Sequence, residues 1–238
     1  MSENGEIRLN KYIADCGYCS RREADRLIGS GKVKVNGETA EMGLKVSSED
    51  IVEVEGKRLK REDETILLVF NKPPGITCTT AKDDETNVVD YIRYPKRIYP
   101  IGRLDKYSEG LLLLTNRGDL VNGIMRSRYG HEKEYIVTVD RTVDDAFLRK
   151  MSSGVYLREL DVTTKPCICK KVARNKFSMI ITQGLNRQIR RMCQEMGCRV
   201  TKLKRVRILD IKLGDLPVGE YREATKKELD SVLERMDH

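Results

Sequence analysis

Ile98-Tyr99-Pro100-Ile101-Gly102-Arg103-Leu104-Asp105-Lys106 is a short apolar run that ends in a charged turn. Leu111-Leu112-Leu113-Leu114 follows it closely and predicts a second, buried strand. The turn between the two strands would hold Asp105 between two cations. A carboxylate in that position stays ionised and is suited to act as a nucleophile or a ligand, although a loop aspartate often only satisfies backbone donors. Residues elsewhere in the chain distinguish these two roles.

The composition is that of a globular protein with one large domain or two modest ones. Of the 238 residues, 39% are hydrophobic, which is enough for a packed core. Forty-five Lys and Arg against 37 Asp and Glu give a net charge of +8, which favours a polyanionic partner or simple solubility. Apolar runs are all shorter than the roughly 20 residues that cross a bilayer, and the N-terminus is polar and acidic. We therefore expect a cytoplasmic protein without membrane association.

The cysteines predict neither a disulfide framework nor a metal site. Seven is an odd number, which favours reduced thiols. Cys16 and Cys19 have the spacing of zinc ligands, but Cys167 and Cys169 are not the usual second half of such a site. Ordinary thiols are the prediction for all seven.

Residues 1–56 predict a small unit of helices and strands with a cationic helix. Ser20-Arg21-Arg22-Glu23 has the pattern of a capping box, Gly29-Ser30-Gly31 ends the helix, and Asn36-Gly37 predicts a hairpin turn. The unit as a whole is not basic, so its cations indicate either a binding helix or a solvated face. They are Arg21, Arg22, Arg26, Lys32 and Lys34.

Residues 57–64 are almost wholly charged and predict an interdomain linker before a second domain at 65–238. In that domain, short strands outnumber helices and do not alternate regularly with them. The predicted fold class is therefore α+β, with a mixed, largely antiparallel sheet. Strands are expected at 66–70, 134–139 and 177–182, and helices at 144–151, 186–196 and 225–236.

A strongly basic segment runs from Gln183 to Arg207, with eight cations and one acid. Apolar side chains from Ile189 to Met196 have the spacing of a buried helix face, which leaves Arg190 beside that face and able to reach a buried anion. A solvated helix would mix acids with bases, so we predict phosphate binding. The residues expected to contact phosphate are Arg187, Arg191, Lys202, Lys204, Arg205 and Arg207.

Four motifs occur in order in the second domain. They are Asn71-Lys72-Pro73 with Gly75, Gly102-Arg103-Leu104-Asp105, Glu132-Lys133-Glu134-Tyr135, and Asn186-Arg187-Gln188-Ile189-Arg190-Arg191-Met192. Together with the N-terminal unit they resemble the pseudouridine synthases of the ribosomal small-subunit synthase A type, over almost the whole chain. The resemblance implies an S4-like RNA-binding domain at 1–56 and a pseudouridine synthase catalytic domain at 65–238.

The same resemblance implies an enzyme that isomerises a specific uridine in ribosomal RNA, expected to be 23S rRNA, to pseudouridine. Asp105 would be the nucleophile, Tyr135 would pack on the flipped-out uracil and move a proton, and Arg190 would pair with Asp105. Arg103 would fill the space left by the base. The other RNA contacts would come from Lys106, from Arg21, Arg22, Arg26 and Lys32, and from the basic segment.

Physical chemistry is consistent with these implied roles. The target base has to leave its stack, and a tyrosine ring offers it a flat surface. An arginine can hold the carboxylate ionised and oriented. Because the isomerisation is redox-neutral, we expect no metal and no other cofactor. We also expect the protein to act on RNA as a monomer.

Two other functions are compatible with parts of the sequence. A non-catalytic RNA-binding or ribosome-associated protein would use the S4-like unit, although binding alone would not need Asp105, Tyr135 and Arg190 together. A glycosidic hydrolase would use Asp105 with a second carboxylate about 5 to 10 Å away, and Glu109 is the nearest acid in sequence.

Overall fold

The computed structural model describes residues 6–61, 64–81, 83–125 and 130–235. Helices and short strands alternate irregularly through these ranges. The α-helices are Leu9–Asp15 (α1), Arg21–Gly29 (α2), Val88–Ile92 (α3), Gly118–Met125 (α4), Asp145–Ser152 (α5), Gln188–Glu195 (α6) and Lys226–Glu234 (α7), and Arg158–Leu160 is a 3-10 turn.

The strands form two larger sheets and two short ribbons. They are Ile7–Arg8 (β1), Val33–Val35 (β2), Glu38–Thr39 (β3), Lys45–Val46 (β4), Val52–Val54 (β5), Lys57–Arg58 (β6), Leu67–Lys72 (β7), Tyr99–Ile101 (β8), Glu109–Thr115 (β9), Lys133–Val139 (β10), Tyr156–Leu157 (β11), Val162–Thr163 (β12), Ile168–Ala173 (β13), Lys176–Ile181 (β14), Val200–Ile208 (β15), Ile211–Lys212 (β16) and Tyr221–Glu223 (β17).

The chain folds into two units, with the main boundary between Thr65 and Ile66. In the N-terminal unit, α1 and α2 pack on a four-stranded sheet of order β3-β2-β5-β6, and β1 pairs with β4. The predicted hairpin turn is confirmed, because Asn36 and Gly37 join β2 to β3 with φ of 51° and 88°.

Two local predictions for this unit need correction. Ser20 caps α2 by accepting from the Glu23 backbone N–H, but the Glu23 carboxylate pairs with Arg26 at 3.1 Å instead of completing a capping box. The predicted linker begins too early, since β6 pairs with β5 as an edge strand. Its residues 62 and 63 lie outside the described residues.

The C-terminal unit is built on a nine-stranded sheet of order β13-β14-β10-β15-β9-β7-β17, with β16 on β15 and β8 on β9. Every described strand pair in it is antiparallel except β15 with β9. The α+β class with a mixed, largely antiparallel sheet is therefore confirmed.

Helices cover this sheet where its strands are apolar. Leu67, Leu111 and Leu113 belong to a buried cluster that extends to α4 and α7 on one face of β7 and β9. On the outer strands, the Phe147 ring of α5 meets the Phe177 ring of β14 edge-on at 5.6 Å between centroids. The described helices include none with the length and apolar character needed to cross a membrane.

The backbones of the parallel strands β9 and β15 approach each other very closely at the centre of the sheet. A side chain at Gly110 of β9 would place its Cβ 2.2 Å from the Arg205 carbonyl oxygen of β15. Only glycine permits this approach, and it also adopts the φ of 106° found there. The approach joins β15 to the start of β9, the strand that follows the Asp105 turn.

Helix ends differ from the predictions by one or two residues. The basic helix α6 begins at Gln188, two residues later than expected, because the Gln188 side chain accepts from the Leu185 N–H and Arg187 adopts a left-handed φ of 51°. Arg187 therefore lies in the preceding loop. The predicted last residue of α7, Met236, is outside the described residues.

Candidate active site

Asp105 lies in the turn between β8 and β9, as the sequence predicts. The turn closes with a hydrogen bond from the Ser108 N–H to the Asp105 carbonyl, 3.0 Å long. Asp105 is partly exposed, with 26% of its side chain accessible. A substrate can therefore reach this carboxylate from solvent.

Two arginines approach the same oxygen of Asp105. Arg190 Nε lies 3.5 Å and Arg187 Nη1 3.6 Å from Oδ2. Arg190 is also anchored by donating to the Ser108 hydroxyl and the Val200 carbonyl, both at 3.2 Å. Burial lowers the pKa of Arg190, and the Asp105 charge opposes that effect. The contact between Arg190 and Asp105 was anticipated from the sequence, whereas that from Arg187 was not.

Tyr135 lies on β10 and points to the face of the sheet that carries Arg205, its register partner on β15. Arg205 Nη1 lies 3.5 Å from the Tyr135 hydroxyl, and the guanidinium carbon is 6.0 Å from the ring centroid. Arg205 also donates from Nε to the Leu111 carbonyl at 2.7 Å and from Nη1 to the Arg103 carbonyl at 3.4 Å. One side chain thus connects the tyrosine to the Asp105 turn.

Lys72 is a further member of the site, for which no role was predicted. Its side chain is fully buried at the end of β7, and Nζ donates to the carbonyls of Pro73 at 2.8 Å and Lys106 at 3.1 Å. Burial lowers the pKa of Lys72 to about 8, and the charge of Asp105 only partly offsets this. The available signal in the sequence was a lysine that continues a strand of five apolar residues, Ile66 to Phe70, with only Asn71 between them.

Four cations of the site have lost much of their solvent. Lys72 and Arg205 are buried, and Lys133 and Arg190 are partly buried. Burial followed by the charge of Arg205 also lowers the pKa of Lys133. Asp105 contacts Arg190, and its charge acts on Lys72. The described residues contain no group of three or more His, Cys, Asp or Glu side chains placed to hold a metal ion.

Glu109 does not provide a second carboxylate beside Asp105. It is the register partner of Lys204, while the following residues, Gly110 and Arg205, pair on the other face of the sheet. Glu109 is buried and pairs with Lys202 at 3.1 Å and Lys204 at 3.9 Å. This arrangement disfavours the two-carboxylate hydrolase.

Three of the predicted phosphate contacts are placed differently from the expectation. Arg205 is only 3% exposed, so it is a residue of the site and not of the surface. Arg207 pairs with Glu132 at 3.0 Å and Glu134 at 2.9 Å, and Arg191 pairs with Glu159. The sequence run of cations concealed these partners, because the acids lie 32 to 75 residues away.

The other predicted contacts face solvent. Arg103, Lys106 and Arg187 are exposed around the Asp105 turn, and Arg21, Arg22, Arg26 and Lys32 are exposed on the N-terminal unit. Arg26 and Lys32 pair with Glu23 and Glu55. Lys176, Lys202 and Lys204 line a groove of about 340 Å³ on the sheet face opposite Tyr135.

Comparison with known families agrees with this geometry. Residues 66–195 match the RNA pseudouridylate synthase family, and residues 7–52 match the S4 domain. The first match contains Asp105, Tyr135 and Arg190. The second falls within the predicted N-terminal domain.

Individual relatives are similar over most of the chain. The dual-specificity RNA pseudouridine synthase RluF of Salmonella typhi is 50% identical over 96% of this chain and 79% of its own length. Its counterpart in Escherichia coli K12 is 48% identical over the same shares. The ribosomal large subunit pseudouridine synthase B of Bacillus subtilis is 39% identical over 97% of both chains. A crystal structure of a pseudouridylate synthase superposes with a TM-score of 0.70 at 31% identity, covering 95% of this chain and 99% of that one.

Proposed function

Because the chain belongs to the RNA pseudouridylate synthase family, we propose that it isomerises a uridine of ribosomal RNA, in the large-subunit 23S rRNA, to pseudouridine. The observation that carries the proposal is the Asp105 carboxylate held by Arg190 and Arg187, in a turn that Arg205 links to Tyr135. The relatives named for large-subunit RNA support the choice of substrate. We further propose that the protein acts in the cytoplasm, as a monomer.

In the proposed reaction the N1–C1′ bond of the target uridine breaks and a C5–C1′ bond forms. The C5 hydrogen leaves to solvent and N1 gains a proton, so atoms and charge balance without any oxidant or reductant. Asp105 either attacks C1′ or stabilises the positive charge that develops there. Arg190 and Arg187 orient its carboxylate and balance its charge.

Tyr135 is proposed to support the flipped-out uracil. Its ring lies on the same sheet face as Arg205, and the Arg205 guanidinium reaches both the Tyr135 hydroxyl and the Arg103 carbonyl of the Asp105 turn. We therefore propose that a stacked base presents its glycosidic bond to the carboxylate. The hydroxyl would serve as the proton acceptor if the reaction passes through elimination at C2′. Exposed Arg103 is proposed to occupy the space that the base leaves in the RNA stack.

RNA affinity is proposed to come from cations on both units. In the N-terminal unit they are Arg21, Arg22, Arg26 and Lys32, and in the C-terminal unit they are Lys106, Arg187, Arg191, Lys202, Lys204 and Arg207. Six of them pair with glutamates in the folded protein and contribute where RNA displaces those acids; they are Arg26, Lys32, Arg191, Lys202, Lys204 and Arg207. Free cations release more counterions on binding phosphate than paired ones do.

Release of tritium from 5-tritiated uridine in 23S rRNA tests the reaction. We expect release with wild-type protein, its loss in Asp105→Asn, and an RNA dissociation constant for that variant within about threefold of wild type, since the amide keeps the shape of the side chain. Asp145→Asn, an exposed aspartate on α5, is the matched control and should retain release.

Other products would identify the competing functions. Free uracil would indicate a hydrolase, and RNA binding without release or uracil would indicate a non-catalytic binder. Appreciable turnover by Asp105→Asn would contradict the assignment of the nucleophile. Mapping pseudouridines in rRNA from cells with and without this protein identifies the target uridine.

A further inference from the structure

The guanidinium of Arg205 carries a hydrogen-bonding capacity that the folded protein leaves unused. Nε donates to Leu111, and Nη1 lies within reach of the Arg103 carbonyl and the Tyr135 hydroxyl. Nη2 is buried and has no hydrogen-bond partner among the described residues. A buried, unsatisfied donor on a charged group costs free energy, so its persistence calls for a ligand.

The position of Arg205 limits what that ligand can be. Its carbon lies 6.0 Å from the Tyr135 ring centroid, and Nη1 lies 3.5 Å from the ring's hydroxyl. A base stacked on this ring would therefore present its edge next to the guanidinium. Only one amino group remains free, which fits a single carbonyl oxygen better than the paired oxygens of a bidentate phosphate.

We propose that Arg205 Nη2 binds a carbonyl oxygen, O2 or O4, of the uracil stacked on Tyr135, and so selects the target base. The proposal rests on the proposed function, because it needs a flipped uridine at Asp105. Arg205 has donors only, so a cytosine amino group at the O4 position would face another donor. A site that loses its hydrogen-bond partner in this way rejects the wrong base strongly.

The fold holds Arg205 rigidly enough for such recognition. Gly110 allows β15 to approach β9 so closely that the Arg205 backbone packs directly against the start of β9. Its side chain is then anchored at two backbone carbonyls, Leu111 and Arg103. Little side-chain entropy remains to be lost when the base arrives.

Equilibrium binding of modified RNAs tests the proposal. The probe is an rRNA stem-loop carrying the uridine that the pseudouridine mapping identifies, and the Asp105→Asn protein is used so that no turnover occurs. The target base is uridine, its 4-deoxy analogue without O4, or 2-thiouridine, whose sulfur is a weaker acceptor than O2. In a fourth RNA a methylphosphonate replaces the phosphate beside the target.

We expect one of the two carbonyl analogues to bind about 10- to 100-fold more weakly than uridine. In protein that also carries Arg205→Lys, which keeps the charge but not the fork, that penalty should fall below about threefold. If Arg205 has only a structural role, Arg205→Lys should instead weaken the binding of all four RNAs by the same factor. This result would overturn the proposal. The proposal is also overturned if the methylphosphonate RNA binds more weakly than the unmodified RNA and Arg205→Lys abolishes that difference. Nη2 would then bind a phosphate.

Two controls keep the result decisive. If Arg205→Lys does not fold, as judged by circular dichroism, the analogue series with intact Arg205 decides, and equal affinity for both carbonyl analogues and uridine rejects the proposal. If wild-type protein neither binds the stem-loop nor releases tritium, the proposed function itself has failed. Tritium release with equal analogue affinities rejects only the role of Arg205.

Discussion

The chemistry of the site depends on cations that have lost most of their water. Lys72 is fully buried and Arg190 has 18% of its side chain accessible, and burial lowers the pKa of both. The lysine is held by the carbonyls of Pro73 and Lys106, so its charge is presented to the Asp105 turn. Such placement strengthens electrostatic attraction to an anion, because little solvent screens it.

Lys72 makes the stability of the protein depend on pH. Its pKa is about 8 in the folded protein and 10.5 in the unfolded chain. The unfolded chain therefore binds more protons between these values, and folding stability rises as the pH increases through this window. Between pH 7 and pH 9.5 this contributes about 2 kcal/mol.

Denaturant unfolding of wild type and Lys72→Met at pH 7 and pH 9.5 measures this contribution. Between pH 7 and pH 9.5 the free energy of unfolding of wild type should rise by about 2 kcal/mol relative to that of the variant, because the variant lacks the titrating group. The same pH dependence in both proteins would show that Lys72 does not titrate in this window.

Among the elements, the parallel contact of β9 with β15 organises the site. It is the place where the strand after the Asp105 turn meets the strand that carries Arg205. Gly110 makes the contact possible, because a Cβ there would approach the Arg205 backbone to 2.2 Å. The two strands could not keep their spacing with any other residue at this position.

Gly110→Ala should therefore lower the free energy of unfolding by about 3 kcal/mol, through the clash and the unfavourable φ. The control is Gly184→Ala, in the same unit, where a Cβ meets nothing within 4 Å. It should change stability by less than about 1 kcal/mol. Chemical denaturation of both variants decides, and similar losses would contradict the role of the close contact.

For the whole molecule, the charge distribution is less one-sided than the net charge of +8 indicates. Glutamates from distant segments pair with Arg191 and Arg207, while Lys202 and Lys204 share the buried Glu109. Together with Lys176 they leave a basic groove on the sheet face opposite Tyr135. Phosphate contacts are thus expected from a few surfaces and not from the entire basic segment.

The salt dependence of RNA binding tests this expectation. The double substitution Lys202→Gln with Lys204→Gln should reduce the slope of log K against log salt by about 1 to 2, because fewer counterions are released. Lys226→Gln with Lys227→Gln removes the same charge from an exposed turn of α7 and is the control. Equal slopes for the two double variants would exclude the groove from RNA binding.

Local patterns were sufficient to find the fold class, most helices and strands, and the Asp105 turn, because strand and helix periodicity and turn chemistry act over a few residues. The order of the motifs was sufficient to indicate the family. Whether a cation is buried, paired or free depended on contacts between residues far apart in the chain. Lys72 belongs to the site although no role was predicted for it. Arg205 is buried although it was expected to contact phosphate, and Arg207 pairs with two glutamates. Desolvation and ion pairing of this kind arise only when distant strands pack together. The Asp105 carboxylate was therefore recognisable from its neighbours in sequence. Which cations lie near it depends on how the strands of the sheet pack together.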